Sequence, residues 1–459
     1  MGEAPEIRGA QGDLLHAVVR EGYAALRTAL DGAERGLPRF VEREVEGFLG
    51  CGDPSRGFAW LTCVGCATHR LVPFSCKGRG FCPSCGGRRM ASTAARWVDA
   101  RFPRVRVRQW VLTVPWRRRA LFARKPDLFL GVLAIALRHI ERWYGRAVRR
   151  ADGEGASVTA VQRFGSALNL NIHGHSLLAD GVFVRDRHGA VVFRRATPGT
   201  KDVEGLVAGI ARAAERWLRR QGYPSEEAVE ADPDDALALL QSASLGGVVA
   251  VGPRAGCRVR RMQRLGGRER ALPPRCAACA GYNLHAGVAV PARDREGLER
   301  LARYVLRPPV GKDRLERRGD RVAVRLKREW SDGTTEILVS PMELTEKLCA
   351  LIPPPRAHTV LYHGIFAPRH RWRREVVPGR RRETPGVAAR RRARKLTRSP
   401  ASGGDGRDSW AELLRRVFGK DGFACARCGE AMTLRAIVVG EPATGTILRS
   451  LARGPPSRG

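Results

Sequence analysis

Two Cys-x-x-Cys pairs near the N-terminus constrain the fold of this chain more than any other feature of its sequence. Cys63 and Cys66 form the first pair, Cys82 and Cys85 form the second, and fifteen residues separate them. Each pair turns two thiolates toward one side of a tight knuckle, and two knuckles at this spacing are typical of a tetrahedral zinc ribbon. The spacing therefore predicts one four-cysteine site for a structural Zn²⁺ ion.

Other cysteines and one histidine leave alternatives open around this site. Three residues are close enough in the sequence to replace a ligand or to belong to a second site: Cys51, Cys76 and His69. Two further half-sites, Cys276-x-x-Cys279 and Cys425-x-x-Cys428, are weak signals alone, and one metal shared between them is an alternative. Buried thiols without metal are the remaining interpretation.

The balance of charge indicates the kind of partner. The chain has 459 residues, with 82 Lys and Arg against 46 Asp and Glu, and a formal net charge of +36. Basic side chains gain affinity for a polyanion through released counterions, so the expected partner is nucleic acid rather than a small molecule. Four basic residues around the second cysteine pair are candidates for phosphate contacts, with a solvated surface as the alternative: Lys77, Arg79, Arg88 and Arg89.

Sequence patterns divide the chain into five regions. A helical lead-in (1–45) precedes the cysteine-rich zinc domain (46–95), and a core of alternating strand and helix patterns follows (96–368). The basic arm or linker after the core (369–400) has thirteen Arg and Lys against two Glu. A small C-terminal segment (401–459) contains the last cysteine pair.

Hydrophobic periodicity predicts particular elements within the core. The segment from Val105 to Pro115 alternates like a strand, residues 121–148 have a long helical pattern, and residues 296–306 form a helix that two prolines stop. We therefore expect an α+β fold with a mixed α/β core behind the zinc domain.

The sequence also indicates a location. No stretch approaches the roughly twenty consecutive apolar residues that a membrane span requires. The first thirteen residues lack the basic-then-apolar pattern of a signal peptide. We therefore expect a cytoplasmic protein without a membrane partner.

A histidine pair in the core is a candidate site for a divalent ion. His173 and His175 lie in a segment of alternating apolar and polar residues, which predicts a strand. Because strand side chains alternate with a period of two, both imidazoles point to the same face and can chelate one ion. Two exposed strand histidines are the alternative.

Tyr304, near the end of the predicted helix 296–306, is a candidate nucleophile. Arg300 precedes it by four residues and Arg307 follows it by three, so both arginines lie on its face of the helix. This setting could hold a phosphate against the hydroxyl group, whereas packing against apolar neighbours is the alternative. Two other tyrosines, Tyr282 and Tyr362, lack such arginines.

Several longer motifs in a fixed order resemble the rolling-circle transposases of the insertion-sequence-91 family: GFLGCG, SCKGRGFCPSCGGRRM, RQWVLTVPW, VQRFGSALNLNIHGHSLLADGVF, LHAGVAV, LARYVLRPP, LKREWSDGT and YHGIFAP. The resemblance extends from about Leu37 to Pro368, with a fainter continuation at CARCGEAM. Such enzymes have an N-terminal zinc-binding domain and a nuclease domain of the HUH endonuclease class. The resemblance thus implies an α/β nuclease core with a central antiparallel sheet.

The resemblance also implies a function for particular residues. His173 and His175 would bind Mg²⁺ or Mn²⁺, Tyr304 would attack DNA and form a 5′-phosphotyrosine, and VLTVP would be the central strand. The expected partner is DNA with single-stranded or hairpin ends, in the bacterial nucleoid, with self-association between protomers. A plasmid-type replication initiator or relaxase, and a catalytically inactive zinc-dependent DNA-binding protein, are the alternatives.

Two positions depart from the family pattern. The residue between the two histidines is normally bulky and apolar, whereas this chain has Gly174, which predicts lost packing and a softer strand. Two-tyrosine members have a second tyrosine four residues before the first, but this chain has Arg300 there. We therefore expect a one-tyrosine variant.

Two imidazoles leave a hard divalent ion incompletely coordinated, so a third ligand is expected. Gln162, on the strand that precedes the histidines, is the first choice. His285 in the LHAGVAV motif is the second. A core or surface role is the alternative for each.

Overall fold

The structure, a computed structural model, describes residues 6–7, 13–224, 234–264, 272–378 and 423–452. Residues 379–400 of the predicted basic arm and residues 401–422 of the C-terminal segment lie outside the described residues.

The described residues form alternating helices and strands. The helices are α1 (Leu14–Asp31), α2 (Arg39–Leu49), α3 (Pro83–Ala100), α4 (Arg119–Arg124), α5 (Pro126–Ala147), α6 (Thr200–Arg220), α7 (Ala236–Gly246), α8 (Arg295–Leu306), α9 (Pro341–Leu351), α10 (Arg373–Val376) and α11 (Ala443–Ala452). The strands are β1 (Glu6–Ile7), β2 (Phe58–Cys63), β3 (His69–Pro73), β4 (Val107–Thr113), β5 (Ala156–Phe164), β6 (Leu170–Ala179), β7 (Gly181–Arg185), β8 (Val191–Arg195), β9 (Arg260–Gln263), β10 (Cys276–Cys279), β11 (Tyr282–His285), β12 (Ala289–Val290), β13 (Leu315–Arg318), β14 (Arg321–Arg325), β15 (Thr334–Val339), β16 (Val360–Gly364) and β17 (Met432–Val438).

A central antiparallel sheet forms the core, with the strand order β10-β11-β4-β6-β5-β16 and β12 added beside β4. Because successive side chains point to opposite faces, each interior strand needs apolar cover on both sides. Helices α4, α5 and α6 cover one face, and α3 and α8 cover the other. The predicted α+β class with a central antiparallel sheet is confirmed.

Helix boundaries differ from the sequence pattern at one place. The predicted helix 121–148 is two helices, because α4 ends at Arg124 and α5 begins at Pro126. Proline has no backbone N–H and clashes with the preceding turn, so it is tolerated at a helix start but not in its interior.

Smaller sheets surround the core. One has the order β13-β14-β15-β9 and packs with α1, α2, α7 and α9, so the helical lead-in shares its apolar cluster with residues near 350. A second sheet, of order β1-β3-β2-β17, combines two strands of the predicted zinc domain with β1 from the lead-in and β17 from the C-terminal segment. None of the described helices combines the length and the apolar composition needed to cross a membrane.

A buried ion pair joins the strands of the central sheet. The Arg108 guanidinium donates to both carboxylate oxygens of Asp180, at 2.7 and 2.9 Å, and both side chains are fully buried. Tyr144 of α5 also donates to Asp180, at 2.8 Å, and Arg108 donates to the carbonyl of Ala286 at 2.6 Å. Removing one partner of such a pair leaves an uncompensated buried charge.

We expect Asp180→Asn to lower the free energy of unfolding by about 3–5 kcal/mol, because Arg108 would lose its counter-charge in the core. Chemical denaturation followed by circular dichroism measures this change. Asp152→Asn is the matched control, since Asp152 pairs with Arg150 on the surface, and it should have little effect. Equal losses in both variants would contradict the importance of burial.

Candidate active site and metal centres

The two histidines of β6 lie at the centre of the main sheet. His173 is paired with Gln162 of β5, and His175 is paired with Ala160 of the same strand. Both imidazoles are buried on the face covered by α3 and α8, and their ring centroids are 4.8 Å apart. The strand alternation thus places them side by side.

The histidines are held in the neutral form. Burial lowers the pKa of His173 to about 4 and the pKa of His175 well below its usual value, and the nearby positive charge of Arg307 lowers both further. Neutral imidazole is the form that binds metals. Nδ1 of His173 donates to the carbonyl of Asn171 at 2.9 Å, which leaves Nε2 as an acceptor.

Tyr304 of α8 approaches this pair. Its ring centroid lies 6.0 Å from that of His175, yet 46% of the tyrosine is exposed. The guanidinium of Arg307 lies 4.3 Å from the centroid of the phenol ring, and the ammonium of Lys327 lies 5.2 Å from it. A half-exposed phenol ring therefore lies beside the buried imidazoles and two cations.

Helix α3 holds α8 in this position. Cys82 is the N-cap residue of α3, Cys85 is in its first turn, and Gly86 lies against Pro308, which follows α8. A Cβ at Gly86 would be 2.8 Å from the Cβ of Pro308, so glycine permits this contact. At the opposite end, Arg295 of α8 donates to carbonyl oxygens near the end of α3.

The cations beside the phenol differ in part from the predicted ones. Arg307 lies over the ring as expected, but Arg300 is 63% exposed and points toward Glu296 and Asp294, at 3.8 and 4.0 Å. Lys327, which sequence reasoning missed, is the second cation. Burial, with the nearby charge of Arg307, lowers the pKa of Lys327 to about 8.

The other tyrosines considered from the sequence lie in different settings. Tyr282 is fully buried, and its hydroxyl donates to Glu215 at 2.9 Å. The hydroxyl of Tyr362 accepts from the indole of Trp97 at 3.0 Å.

Of the two predicted third ligands, the structure brings Gln162 to the histidines. Its Nε2 donates to the carbonyl of Val305, beside Tyr304, at 2.7 Å, while its Oε1 is buried without a hydrogen-bond partner. His285 is separated from His175 by the intervening strand β4, which puts their backbones about 10 Å apart. Within the described residues, His285 forms no close group of metal ligands with the histidine pair.

Gly174 does not leave a gap behind the histidines. A Cβ at Gly174 would lie 3.2 Å from Cδ1 of Leu133 and 3.6 Å from the ring of Phe129. Both side chains belong to α5, so the helix fills the space that a bulky residue would take. The expected loss of packing is therefore compensated from α5.

The cysteines form two clusters rather than the single predicted ribbon. Cluster A contains Cys51, Cys76, Cys82 and Cys85, and cluster B contains Cys63, Cys66, Cys425 and Cys428. In each cluster the four sulfur atoms lie within 4.8 Å of one another. The prediction that Cys63 and Cys66 share a metal with Cys82 and Cys85 is thus wrong.

The hairpin β2–β3 explains this different pairing. Cys63 and Cys66 lie at its turn, whereas Cys51 and Cys76 lie beyond its open end. A hairpin of about five residue pairs separates its two ends by roughly 17 Å. The second Cys-x-x-Cys pair lies at the start of α3. This helix start is near the open end of the hairpin, beside Cys51 and Cys76.

The other residues that the sequence suggested as metal ligands make different contacts. Cys276 donates to the carboxamide of Asn283 at 3.6 Å, so the proposed metal shared by Cys276, Cys279 and the C-terminal pair is not supported. His69 contacts the hydroxyl of Thr62 at 3.2 Å and is a member of neither cluster.

Hydrogen bonds within the clusters lower the pKa of Cys51 and Cys66 and raise the pKa of their neighbours Cys76, Cys82 and Cys428. Contacts with Cys76 and Cys82 lower the pKa of Cys51 to about 7. The hydroxyl of Thr68, 3.1 Å from the sulfur of Cys66, lowers the pKa of that thiol to about 6. Thiolate is the form of cysteine that binds metal.

The predicted phosphate-binding residues surround the loop of cluster A. Lys77, Arg79 and Arg88 are exposed, whereas Arg89 donates to the carbonyl of Lys77 at 3.1 Å and so braces this loop. A cavity of about 130 Å³ separates the loop from the end of α8, and Arg79, Arg89 and Arg307 line it. These arginines therefore face the same space.

Comparison with known families agrees with this arrangement. The family described as "Transposase zinc-binding domain" matches residues 19–114, and the family described as "Putative transposase" matches residues 156–374. No curated protein and no solved structure matches the chain. The two matches, which together cover more than half of the chain, define a transposase with an N-terminal zinc-binding domain.

The chain belongs to the insertion-sequence-91 family of transposases. DNA is therefore its partner, and structural zinc is a cofactor of its N-terminal domain.

We expect Gly174→Val to lower the free energy of unfolding by about 1–3 kcal/mol, because the added methyl groups overlap Leu133. In a Leu133→Ala background the same substitution should cost at least about 0.5 kcal/mol less, since the truncated side chain makes room. Denaturation of the four proteins of this double-mutant cycle measures the coupling. Gly205→Val is the control, because nothing lies within 4 Å of a Cβ there. If Gly174→Val and Gly205→Val had the same coupling free energy with Leu133→Ala, the proposed contact between position 174 and Leu133 would be contradicted.

Proposed function

We propose that this transposase cuts and rejoins single DNA strands in rolling-circle transposition, with Tyr304 as its nucleophile. The proposal rests on one observation. The ring centroid of the exposed Tyr304 lies 6.0 Å from that of the buried His175, which comes from a distant segment of the chain. Two cations, Arg307 and Lys327, also lie beside this ring.

The covalent step is an in-line displacement at phosphorus. The hydroxyl oxygen of Tyr304 attacks, its proton passes to solvent, and the bond from phosphorus to the 3′ oxygen breaks. The 3′ oxygen takes up a proton, and the 5′ end of the strand stays on the enzyme as a phosphotyrosine. A 3′-hydroxyl group can reverse this step, so rejoining needs no nucleotide cofactor.

Positive charge beside the phenol would stabilise the transition state. Arg307 and Lys327 are close enough to the ring to offset charge that develops on the tyrosine oxygen and the phosphate. Because Arg307 is half-buried, its electrostatic effect is stronger than in water.

The histidine site fits Mg²⁺ or Mn²⁺, held by His173, His175 and Gln162. Nε2 of His175 and Oε1 of Gln162 are buried without partners, and a bound cation would satisfy both. Gln109 contacts Nδ1 of His175 through its carboxamide nitrogen at 2.8 Å. Turning this carboxamide would let its oxygen accept from Nδ1–H and leave Nε2 as a ligand. The ion would supply charge neutralisation at the scissile phosphate.

The substrate that we propose is the single-stranded or hairpin end of the host element, in the bacterial nucleoid. Arg79 and Arg307 face the cavity beside α8, where they could bind the backbone of such a strand. Among the described tyrosines, Tyr304 is the one whose ring lies beside the histidine pair, so each protomer would form one covalent link at a time. Transfer of two strands would then be sequential or would use a second protomer.

We expect wild-type protein with Mn²⁺ to form a covalent adduct with single-stranded oligonucleotides from the ends of its element, detected on denaturing gels. Tyr304→Phe should abolish the adduct, because the nucleophilic oxygen is lost. Tyr362→Phe is the control and should retain it. An adduct in Tyr304→Phe would overturn the mechanism, and none in wild type would favour a catalytically inactive DNA-binding protein.

The pH dependence of adduct formation should report Lys327. Because its pKa is lowered to about 8, its ammonium loses its proton above that pH, and the rate should fall there. Lys327→Arg should extend the rate to higher pH, since guanidinium stays charged, and Lys327→Met should be slow throughout. Initial rates from pH 6.5 to 9.5 measure this. If the pH profiles of wild type and Lys327→Arg were superimposable, the charge of Lys327 would have no role in adduct formation.

A further inference from the structure

Cluster B joins cysteines from opposite ends of the chain. We propose that Cys63, Cys66, Cys425 and Cys428 bind a second structural Zn²⁺ ion, which attaches the C-terminal segment to the N-terminal sheet. The match to the zinc-binding domain spans residues 19–114, so it contains all of cluster A but only half of cluster B. This second site is independent of the proposed nuclease mechanism.

The sulfur geometry fits zinc. The sulfur of Cys428 lies 3.4 Å from that of Cys63 and 3.5 Å from that of Cys66, and the sulfur of Cys425 lies 3.6 Å from that of Cys66. Tetrahedral Zn²⁺ with bonds of about 2.3 Å places its sulfur ligands about 3.8 Å apart. A disulfide would require about 2.05 Å, so these thiols are not oxidised pairs.

Backbone hydrogen bonds place the cysteines independently of any metal. Strand β17 pairs with β2 from Met432 opposite Cys63 to Val438 opposite Phe58. Before β17, a tight turn is closed by Cys425 N–H donating to the carbonyl of Glu430 at 2.8 Å. The Arg70 guanidinium also donates to the carbonyl of residue 424, at 3.2 Å. The register of the sheet thus brings the two pairs together.

The turn of the first knuckle is shaped for this approach. The N–H of Cys66 donates to the sulfur of Cys63 at 3.5 Å, a contact that orients the thiolate. A Cβ at Gly65 would lie 3.0 Å from Cγ of Glu430 and 3.7 Å from the sulfur of Cys428. Glycine therefore permits the C-terminal turn to pack against the knuckle that contains Cys63 and Cys66.

The C-terminal segment packs on the N-terminal sheet through two small apolar clusters, one at cluster B and one around Phe58, Leu71 and Val438, so a metal would add to a small core. Around cluster B, the buried side chains outside the cysteines are those of Leu61 and Met432. Ile437 and Val439 on the same segment are more than half exposed. Small units with so little core usually need a metal or a disulfide. Four thiolates select zinc among the common structural ions.

Metal analysis of the full-length protein tests the site directly. Elemental analysis by mass spectrometry should find two zinc ions per chain in wild type. Cys425→Ser/Cys428→Ser should retain one, and Cys63→Ser/Cys66→Ser should also retain one, because the pairs share an ion. Cys276→Ser/Cys279→Ser removes the same number of thiols outside the clusters and should retain two.

Hydrogen exchange gives a second readout that does not depend on activity. Amides of β17 should be protected in wild type and in Cys276→Ser/Cys279→Ser, and they should exchange at least about tenfold faster in Cys425→Ser/Cys428→Ser. One zinc per chain in wild type, or two in Cys425→Ser/Cys428→Ser, would overturn the proposal. So would a wild-type ion other than zinc, or loss of zinc from Cys63→Ser/Cys66→Ser alone.

Discussion

The fixed start of α3 is the constraint on which the candidate active site depends. Cys82 is the N-cap residue of this helix and Cys85 is in its first turn, so the metal-ligand geometry of cluster A sets where the helix begins and how it points. The contacts of Gly86 with Pro308 and of Arg295 with the far end of α3 then fix α8 against it. A zinc domain at one end of the sequence thereby sets the distance between Tyr304 and the histidines.

The sheet supplies the other half of this alignment. His173 and His175 are held by an interior strand whose opposite face is packed by Leu133 and Phe129. Gln162 connects the two halves, because it lies beside His173 and donates to the carbonyl of Val305 in α8. Gln162 therefore links the strand of the imidazoles, through its backbone pairing, to the helix of the phenol, through its carboxamide.

Periodicity predicted the elements well, because it records which side chains face a core. The strand at Val105 to Pro115 and the helix at 296–306 were found within a few residues, and the shared face of His173 and His175 follows from alternation alone. The prediction of one helix over residues 121–148 was wrong only at Pro126, where a second helix begins.

Spacing along the chain predicted less about which residues meet. Two Cys-x-x-Cys pairs fifteen residues apart fit one zinc site, but an intervening hairpin directs them to different sites, and the partners of Cys63 come from beyond residue 420. Arg300 shares a helix face with Tyr304, yet its long side chain reaches the acids at the helix start. Lys327 reaches the phenol from the connection after β14, which no local pattern reveals.

The pairing in cluster B also has a consequence for synthesis. The chain emerges from the ribosome at about 5–20 residues per second, and about 360 residues separate Cys66 from Cys425. Cys425 is therefore synthesised roughly 20–70 s after Cys66. A nascent chain can complete cluster A early, but its N-terminal sheet acquires its last strand only when translation is almost finished, so a prematurely terminated product keeps an open sheet edge and two unshared thiols.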